Sequence, residues 1–314
     1  REHMSDTNAG SDAVESEGSF VEYGIEDTPP LGESLFLGVQ HYLTMVGANV
    51  AVPLILAKTL DMPGRLWPVF IGTFFVVSGI ATLAQTTFGN RYPIVQGSPF
   101  SMLAPALAVI AVVQTNNPTG MAEWRAALLS LQGAIIVAAL FEVVIGYLGL
   151  IGRIRRYLSP LVIAPTIALI GLSLFSTPQV AMANQNWPLL LLTLGLITLF
   201  SQYVDDRNRA FKLFPVLLGI VTAYVVAAAL SWTGVYAAGT AGYVDLGSIL
   251  EAPTIVTPTP LQWGVPRFEA SLAIGMLAGV GASIIESFGD YHAVARLSGV
   301  GAPSERRINH GIGM

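Results

Sequence analysis

Residues 93–105 read Pro93-Ile-Val-Gln-Gly-Ser-Pro-Phe-Ser-Met-Leu-Ala-Pro105, an apolar stretch interrupted by three prolines and a glycine. Proline has no backbone N–H to donate and its ring clashes with the preceding turn, so Pro99 argues against one continuous helix here. From about Ser101 to Val113 roughly 13 helical residues remain, about 20 Å long, against a hydrocarbon core of about 30 Å. If this stretch crosses a membrane, the rest crosses as extended backbone. Such backbone is tolerated at membrane depth only where protein buries it or it lines a cavity, and a half-helix starting there aims free N–H groups into that cavity. The competing reading is an ordinary proline-kinked helix.

The residues around this stretch make a membrane its setting. Of 314 residues 53% are hydrophobic and 11% charged, and the mean hydropathy is +0.62; a soluble domain is usually about 25% charged. Eight apolar runs are long enough to be read as spans: Leu35–Ala57, Leu66–Thr86, Gly97–Val113, Ala126–Gly149, Leu158–Phe175, Trp187–Tyr203, Leu213–Trp232 and Phe268 to about Ala295. The chain is therefore expected to be an all-α polytopic membrane protein with a broken third span. With the N-terminus in the cytoplasm, Arg91, Arg153, Arg155, Arg156, Arg207, Arg209, Lys212, Arg296, Arg306 and Arg307 fall inside. Lys58, Arg65, Arg125 and Arg267 then fall outside, which satisfies the positive-inside rule.

Several function classes drop out. Residues 1–33 carry eight carboxylates between Ser5 and Glu33 with no basic residue and no apolar periodicity, so this acidic, cytoplasmic tail is expected to be disordered. The absence of cysteine excludes disulfides, thiol nucleophiles and thiolate metal sites. His3, His41, His292 and His310 are too scattered for a metal centre, and without a basic patch no nucleic-acid partner is expected. No His-Glu-x-x-His motif or serine nucleophile with a matched base is evident, so no catalytic residue and no enzyme activity are expected.

The eighth span carries the second signal. Gly275, Gly279, Ser283 and Ser287 recur every four residues, a small-residue stripe that lets another helix approach closely. Glu286 and Asp290 share a neighbouring face. Carboxylates at membrane depth are costly and mark a pathway or relay, unless these two simply face cytoplasmic water. His41, within Gln40-His-Tyr-Leu-Thr44, reads as a structural hydrogen-bonder or as a proton carrier. Glu142 has no obvious partner and reads as structural or interfacial. Gln85, Thr86 and Thr87 read as interhelical hydrogen-bonders, and Phe100, beside the break, as packing or as a platform for a flat ligand.

Three separated segments resemble a known family. Leu37-Gly-Val-Gln-His-Tyr-Leu-Thr-Met45, Gln85-Thr-Thr-Phe-Gly-Asn-Arg-Tyr-Pro-Ile-Val-Gln-Gly97 and Glu286-Ser-Phe-Gly-Asp-Tyr-His-Ala-Val-Ala-Arg-Leu-Ser-Gly299 are similar, in order, to the nucleobase-ascorbate transporter (xanthine/uracil permease) family. The similarity runs from about Glu33 to Met314. It implies a 14-span fold of two inverted seven-span repeats, of which this chain is the N-terminal two-thirds, truncated after span 8. Seven being odd, the second repeat must start with opposite orientation, as the charge count independently requires of the eighth span.

The implied parts are residues 34–150 as core-domain spans 1 to 4 and residues 151–232 as gate-domain spans 5 to 7. Residues 233–267 form an extracellular loop, and residues 268–314 are core span 8 with the beginning of span 9. By the same resemblance Phe100 stacks on a base, backbone N–H groups near Phe100 and Ser101 meet its carbonyl oxygens, and Glu286 accepts its ring N–H. Asp290 joins the polar network with His41 as its partner. The implied function is secondary active symport of a purine or pyrimidine base such as xanthine or uracil across the cytoplasmic membrane, driven by H⁺ or Na⁺. No cofactor is implied, and the implied protein partner is a second copy, as a homodimer.

Two departures stand out. Pro99 occupies a position where small non-proline residues are usual, which removes one backbone donor. The chain also stops at Met314, before a tenth span that would complete the site, so the isolated polypeptide is not expected to transport. The alternatives are a same-fold transporter of ascorbate or an anion, which a carboxylate at Glu286 disfavours, and a non-transporting truncated membrane protein. The topology is directly testable because the chain has no native cysteine. Single cysteines at Asn184 and Gly239 should react with an impermeant thiol reagent from outside intact cells, and one at Asn208 should not; the opposite pattern inverts the topology.

Overall fold

The structure is a computed structural model describing residues 23–116, 121–154, 157, 159–174, 184–204, 211, 214–247 and 257–314. Its principal helices are α1 (Leu31–Thr59), α2 (Trp67–Thr87), α3 (Leu103–Thr115), α4 (Glu123–Tyr147), α5 (Ile151–Ile154) and α6 (Pro160–Leu174). They continue as α7 (Trp187–Gln202), α8 (Pro215–Trp232), α9 (Ala270–Leu297) and α10 (Glu305–Gly313), and no strand occurs among the described residues.

Four described helical stretches are long and apolar enough to cross a membrane: Gly64–Thr87, Glu123–Tyr147, Pro215–Trp232 and Ala270–Leu297. A fifth is α1 if its halves, Leu31–Leu43 and Met45–Thr59, bent by 42°, count as one. The other three expected spans are shorter apolar helices, Phe100–Thr115, Leu161–Ser173 and Trp187–Gln202. The third is short because it is broken. The fifth and sixth abut residues 155–156, 158, 175–183 and 205–210, which lie outside the described residues. Side chains on the perimeter are apolar, with Leu161 and Trp232 each 86% exposed. An exterior of this kind suits lipid and would be an aggregation surface in water.

The boundaries follow local chemistry. Helix α1 begins at Leu31 because Pro30, at φ −54° and ψ 147°, is extended. The acidic tail expected over residues 1–33 is therefore ordered from Tyr23 onward, while residues 1–22 lie outside the described residues. Within that ordered part Ile25 packs on the core, and Tyr23 donates to a Glu33 oxygen at 2.6 Å. Glu26 accepts from Arg91 at 2.8 Å and from Arg307 at 3.2 Å. Helix α10 starts at Ser304, whose hydroxyl accepts from the Arg307 N–H, an N-cap that satisfies one orphan donor.

The large buried apolar cluster draws on α1 to α5, α9 and α10; none of its buried members comes from α6, α7 or α8. Helix α4 is its axis, packed against α3, α9 and α10. The backbone of Arg267 lies over Gly133, and the Arg267 N–H donates to the Leu129 carbonyl at 2.9 Å. At the C-terminal end of α4 the backbone of Gly313 lies against Gly146. Of the small-residue stripe on α9, Gly279 is a close-approach point, where an added Cβ would stand 2.7 Å from the Met102 sulfur, whereas Gly275 has nothing within 4 Å. Helices α7 and α8 pack on each other, and α8 reaches α1, where Ile220 sits 3.4 Å from the Cβ position of Gly47.

These contacts assign different roles to similar residues. Gly133→Ala and Gly146→Ala each drive a methyl group into backbone and should cost about 1–3 kcal/mol, read as a lower unfolding temperature in detergent. Gly275→Ala should be neutral or stabilise by up to about 1 kcal/mol through helix propensity. Equal losses in all three variants would contradict the packing around α4.

Candidate functional site

The segment between α2 and α3 is built to hold backbone out of a helix. After the α2 C-terminus, the Gln85 side-chain oxygen accepts from the Asn90 N–H at 3.2 Å, and the Asn90 side chain accepts from the Tyr92 N–H at 2.8 Å. Arg91 sits at φ 57°, the left-handed region that closes this turn. The chain then runs extended to Pro99, at φ −71° and ψ 125°, before a 3-10 turn at Phe100–Met102 leads into α3. Neighbouring side chains replace the missing helical hydrogen bonds. Thr82 Oγ1 accepts from the Gln96 N–H at 2.8 Å, Ser78 Oγ donates to the Gln96 carbonyl, and Asn49 Oδ1 accepts from the Ser98 N–H at 3.2 Å. Residues on α1 and α2 thus satisfy the backbone where bilayer depth offers no water.

On one side of this segment lies a cavity of about 440 Å³. Phe100 and residues 94–99 form one wall, Ser283, Glu286, Ser287 and Asp290 of α9 a second, and Ala139, Glu142 and Val143 of α4 a third. Ala81, Ala84 and Gln85 of α2, Tyr291 of α9, Gly311 and Ile312 of α10, and Met314 complete the lining. Gln85 also donates to the Gly311 carbonyl at 2.6 Å, tying α10 to the turn that launches the extended segment. Phe100 and Asp290 therefore share one cavity with Glu286. Ser101 is buried beside the Glu286 carboxyl, close enough to interact with it but without a hydrogen bond of full geometry. As the first residues of the turn, Phe100 and Ser101 have N–H groups with no intrahelical acceptor.

His41 is not brought to Asp290. It is exposed, its Nδ1 lies 3.1 Å from the Leu37 carbonyl, and it lines a different cavity of about 440 Å³ beside Tyr42 and Phe75. The two cavities meet only at Ile94 and Val95. A third cavity of about 430 Å³, largely apolar, shares residues 96–99 and is walled by α1, α2 and α3. Among the described residues no group of three His, Cys, Asp or Glu side chains could hold a metal ion.

Three features escaped the sequence reading. Glu142 stands on the wall of the polar cavity, and a lone carboxylate in an otherwise apolar helix was the signal available for it. Asn49, Ser78 and Thr82 carry the extended segment but resemble ordinary polar residues of apolar helices. Of the three residues expected to bond between helices, Gln85 does so. Thr86 instead donates back to Thr82 and Leu83 carbonyls of its own helix, and Thr87 is exposed. A threonine hydroxyl on a helix always has the i−4 carbonyl within reach, so its partner cannot be read from position alone.

A family model described as a permease family, Xan_ur_permease, matches residues 32–313. Solute carrier family 23 member 2 of Rattus norvegicus is 38% identical over 347 residues, covering 98% of this chain and 54% of that protein. Solute carrier family 23 member 1 of the same species is 37% identical over 330 residues, covering 92% of this chain and 54% of its own length. Nucleobase-ascorbate transporter 12 of Arabidopsis thaliana is 32% identical over 321 residues, covering 94% and 45%. The chain spans about half the length of these relatives.

The support of the extended segment predicts an asymmetry between two threonines one turn apart. Thr82→Val leaves the Gln96 N–H without its acceptor and should cost about 1–3 kcal/mol of stability. Thr86→Val, which only loses a bond to its own helix, should stay within about 0.5 kcal/mol. Thermal unfolding of both variants in detergent checks the difference.

Proposed function

This chain belongs to the xanthine/uracil permease family, the nucleobase-ascorbate transporters, and we propose that within the whole protein it forms the nucleobase site of a secondary active symporter. It is a multi-pass membrane protein. Our reading sets its N-terminus in the cytoplasm, with α1 to α4 and α9 in a core domain, α6 to α8 in a gate domain, and a homodimer as the assembly. The observation that carries the proposal is the sharing of one cavity by an aromatic face, Phe100, a carboxylate, Glu286, and the non-helical backbone of residues 94–99. A purine or pyrimidine is flat, has ring N–H donors and has carbonyl acceptors. Phe100 offers the stacking surface, Glu286 the acceptor, and the free N–H groups of Phe100 and Ser101 the donors, with Asp290 in the supporting polar network. Xanthine and uracil fit this pattern of groups.

The printed name of the Arabidopsis relatives couples nucleobases with ascorbate, which makes ascorbate the second reading. Among the described residues Glu286, Asp290 and Glu142 line the cavity and no Lys, Arg or His does, a setting that repels an anion. Uptake of a labelled panel containing xanthine, uracil and ascorbate, with and without H⁺ and Na⁺ gradients, separates the two. Uptake of ascorbate but of no base would overturn the first reading.

Within it, Glu286→Gln should weaken base binding about ten- to a hundred-fold, because a charge-assisted hydrogen bond of about 1.5–3 kcal/mol is lost while size is kept. Asp290→Asn should lower transport more than binding, since its role lies in the network. Binding and uptake by the full-length protein at matched membrane expression are the measurements. Unaltered affinity in Glu286→Gln removes Glu286 from the site.

A further inference from the structure

We propose that Glu142 is the proton-carrying carboxylate of the α4 wall, and that the cavity binds substrate when Glu142 is protonated. The inference rests on the nucleobase reading above and adds to it a residue and a regulation. Glu142 projects from the C-terminal part of an apolar helix into the cavity that also holds Glu286 and Asp290. It has no hydrogen bond or ion pair among the described residues, and the Tyr291 phenol lines the same cavity. A carboxylate kept at such a place without a partner is an expense in stability that structure alone does not explain.

Among the described residues lining the cavity, none supplies positive charge to Glu142. From α9 the ionisable groups facing the cavity are Glu286, Asp290 and Tyr291, whereas His292 turns its Nδ1 to the Phe288 carbonyl at 2.8 Å. Helix α3 carries no ionisable side chain. Helix α10 contributes Gly311 and Ile312, followed by Met314; its His310 ring lies 6.1 Å from Tyr147, its Arg307 sits over the Tyr92 ring, and its Glu305 lies beside Gly152. On the extended segment's side, Arg91 is engaged by Glu26.

Three carboxylates sharing a low-dielectric cavity with no basic residue repel one another and need compensating cations or protons. A lone carboxylate with no second charged ligand beside it takes up a proton more readily than it holds a cation by itself, and among the described residues no trio of His, Cys, Asp or Glu is arranged around one ion. Glu286 has Ser101 beside it and the substrate N–H to accept, and Asp290 is exposed at the cavity's edge, which leaves Glu142 as the group whose charge nothing else answers. In the cycle a hydronium ion on the side of substrate arrival loses a proton to the Glu142 carboxylate, one O–H bond breaking as the other forms, and the acid later returns the proton to water on the other side, re-forming hydronium and the carboxylate.

The test is binding of labelled xanthine and labelled uracil to the full-length protein across a pH series at constant Na⁺, then across a Na⁺ series at constant pH. For one linked proton, wild-type affinity should fall by up to about tenfold per pH unit once the pH exceeds the pKa of Glu142. Glu142→Gln, a fixed mimic of the protonated acid, should flatten that slope and keep binding at high pH, while Glu142→Asp should retain a slope. A Glu142→Gln slope equal to wild type, a wild-type dependence on Na⁺ and not on pH, or a flat Glu142→Asp profile would each overturn the proposal. Should Glu142→Gln fold but bind neither base, the Glu142→Asp slope decides: retained upholds the proposal, lost overturns it. Wild-type protein that binds neither base at any pH fails the nucleobase reading itself, a result distinct from all of these.

Discussion

The structure depends on satisfying backbone hydrogen bonds where no water is available. The segment from Asn90 to Pro99 leaves the helical state inside a bundle of apolar helices, and every unpaired N–H or C=O there would cost several kcal/mol. Asn49 on α1 and Ser78 and Thr82 on α2 supply the partners for Gln96 and Ser98. With those groups satisfied by side chains on one side, the other side of the segment can line a cavity. The turn before it is held by the Gln85 and Asn90 side chains, and through Gln85 it is joined to α10.

Helix α4 is the body against which this arrangement is referenced. It touches α3, α9 and α10, so it meets the half-helix that follows the extended segment and the helix that carries Glu286. Glycines at Gly133 and Gly146 let backbone from residues 267 and 313 lie directly on it, near its middle and at its C-terminal end. At the α10 end, Glu26 joins Arg91 and Arg307 while Arg307 also covers Tyr92, so the residues leading into α1 are fastened beneath the start of the extended segment. Each exposed ion pair contributes little alone. Together they restrain the turn from which the site is built.

Charge in the cavity is one-signed. Glu142, Glu286 and Asp290 approach it from two helices, and hydroxyl, amide and phenol groups provide the remaining polarity. In the reading proposed here, such a cavity suits neutral solutes that donate hydrogen bonds better than anions.

Much of this was legible in the sequence. Apolar run lengths set the helical, membrane-spanning class, because the bilayer imposes a length on any helix that crosses it. Pro99 and its neighbours located the break, because proline removes a donor whatever surrounds it. The four-residue spacing of Glu286 and Asp290 put them on one helical face. Tertiary structure alone decided what those faces meet. It brought Phe100 to Glu286, left His41 at a separate cavity, turned Thr86 back on its own helix, used Gly279 but not Gly275 for close packing, and set Glu142 on the cavity wall. The physical reason is one of range. Proline geometry, helix length and periodicity are properties of a few consecutive residues, whereas the partner of a polar side chain depends on which helix lies across from it, and that is determined by packing between segments as far apart as Gln85 and Gly311.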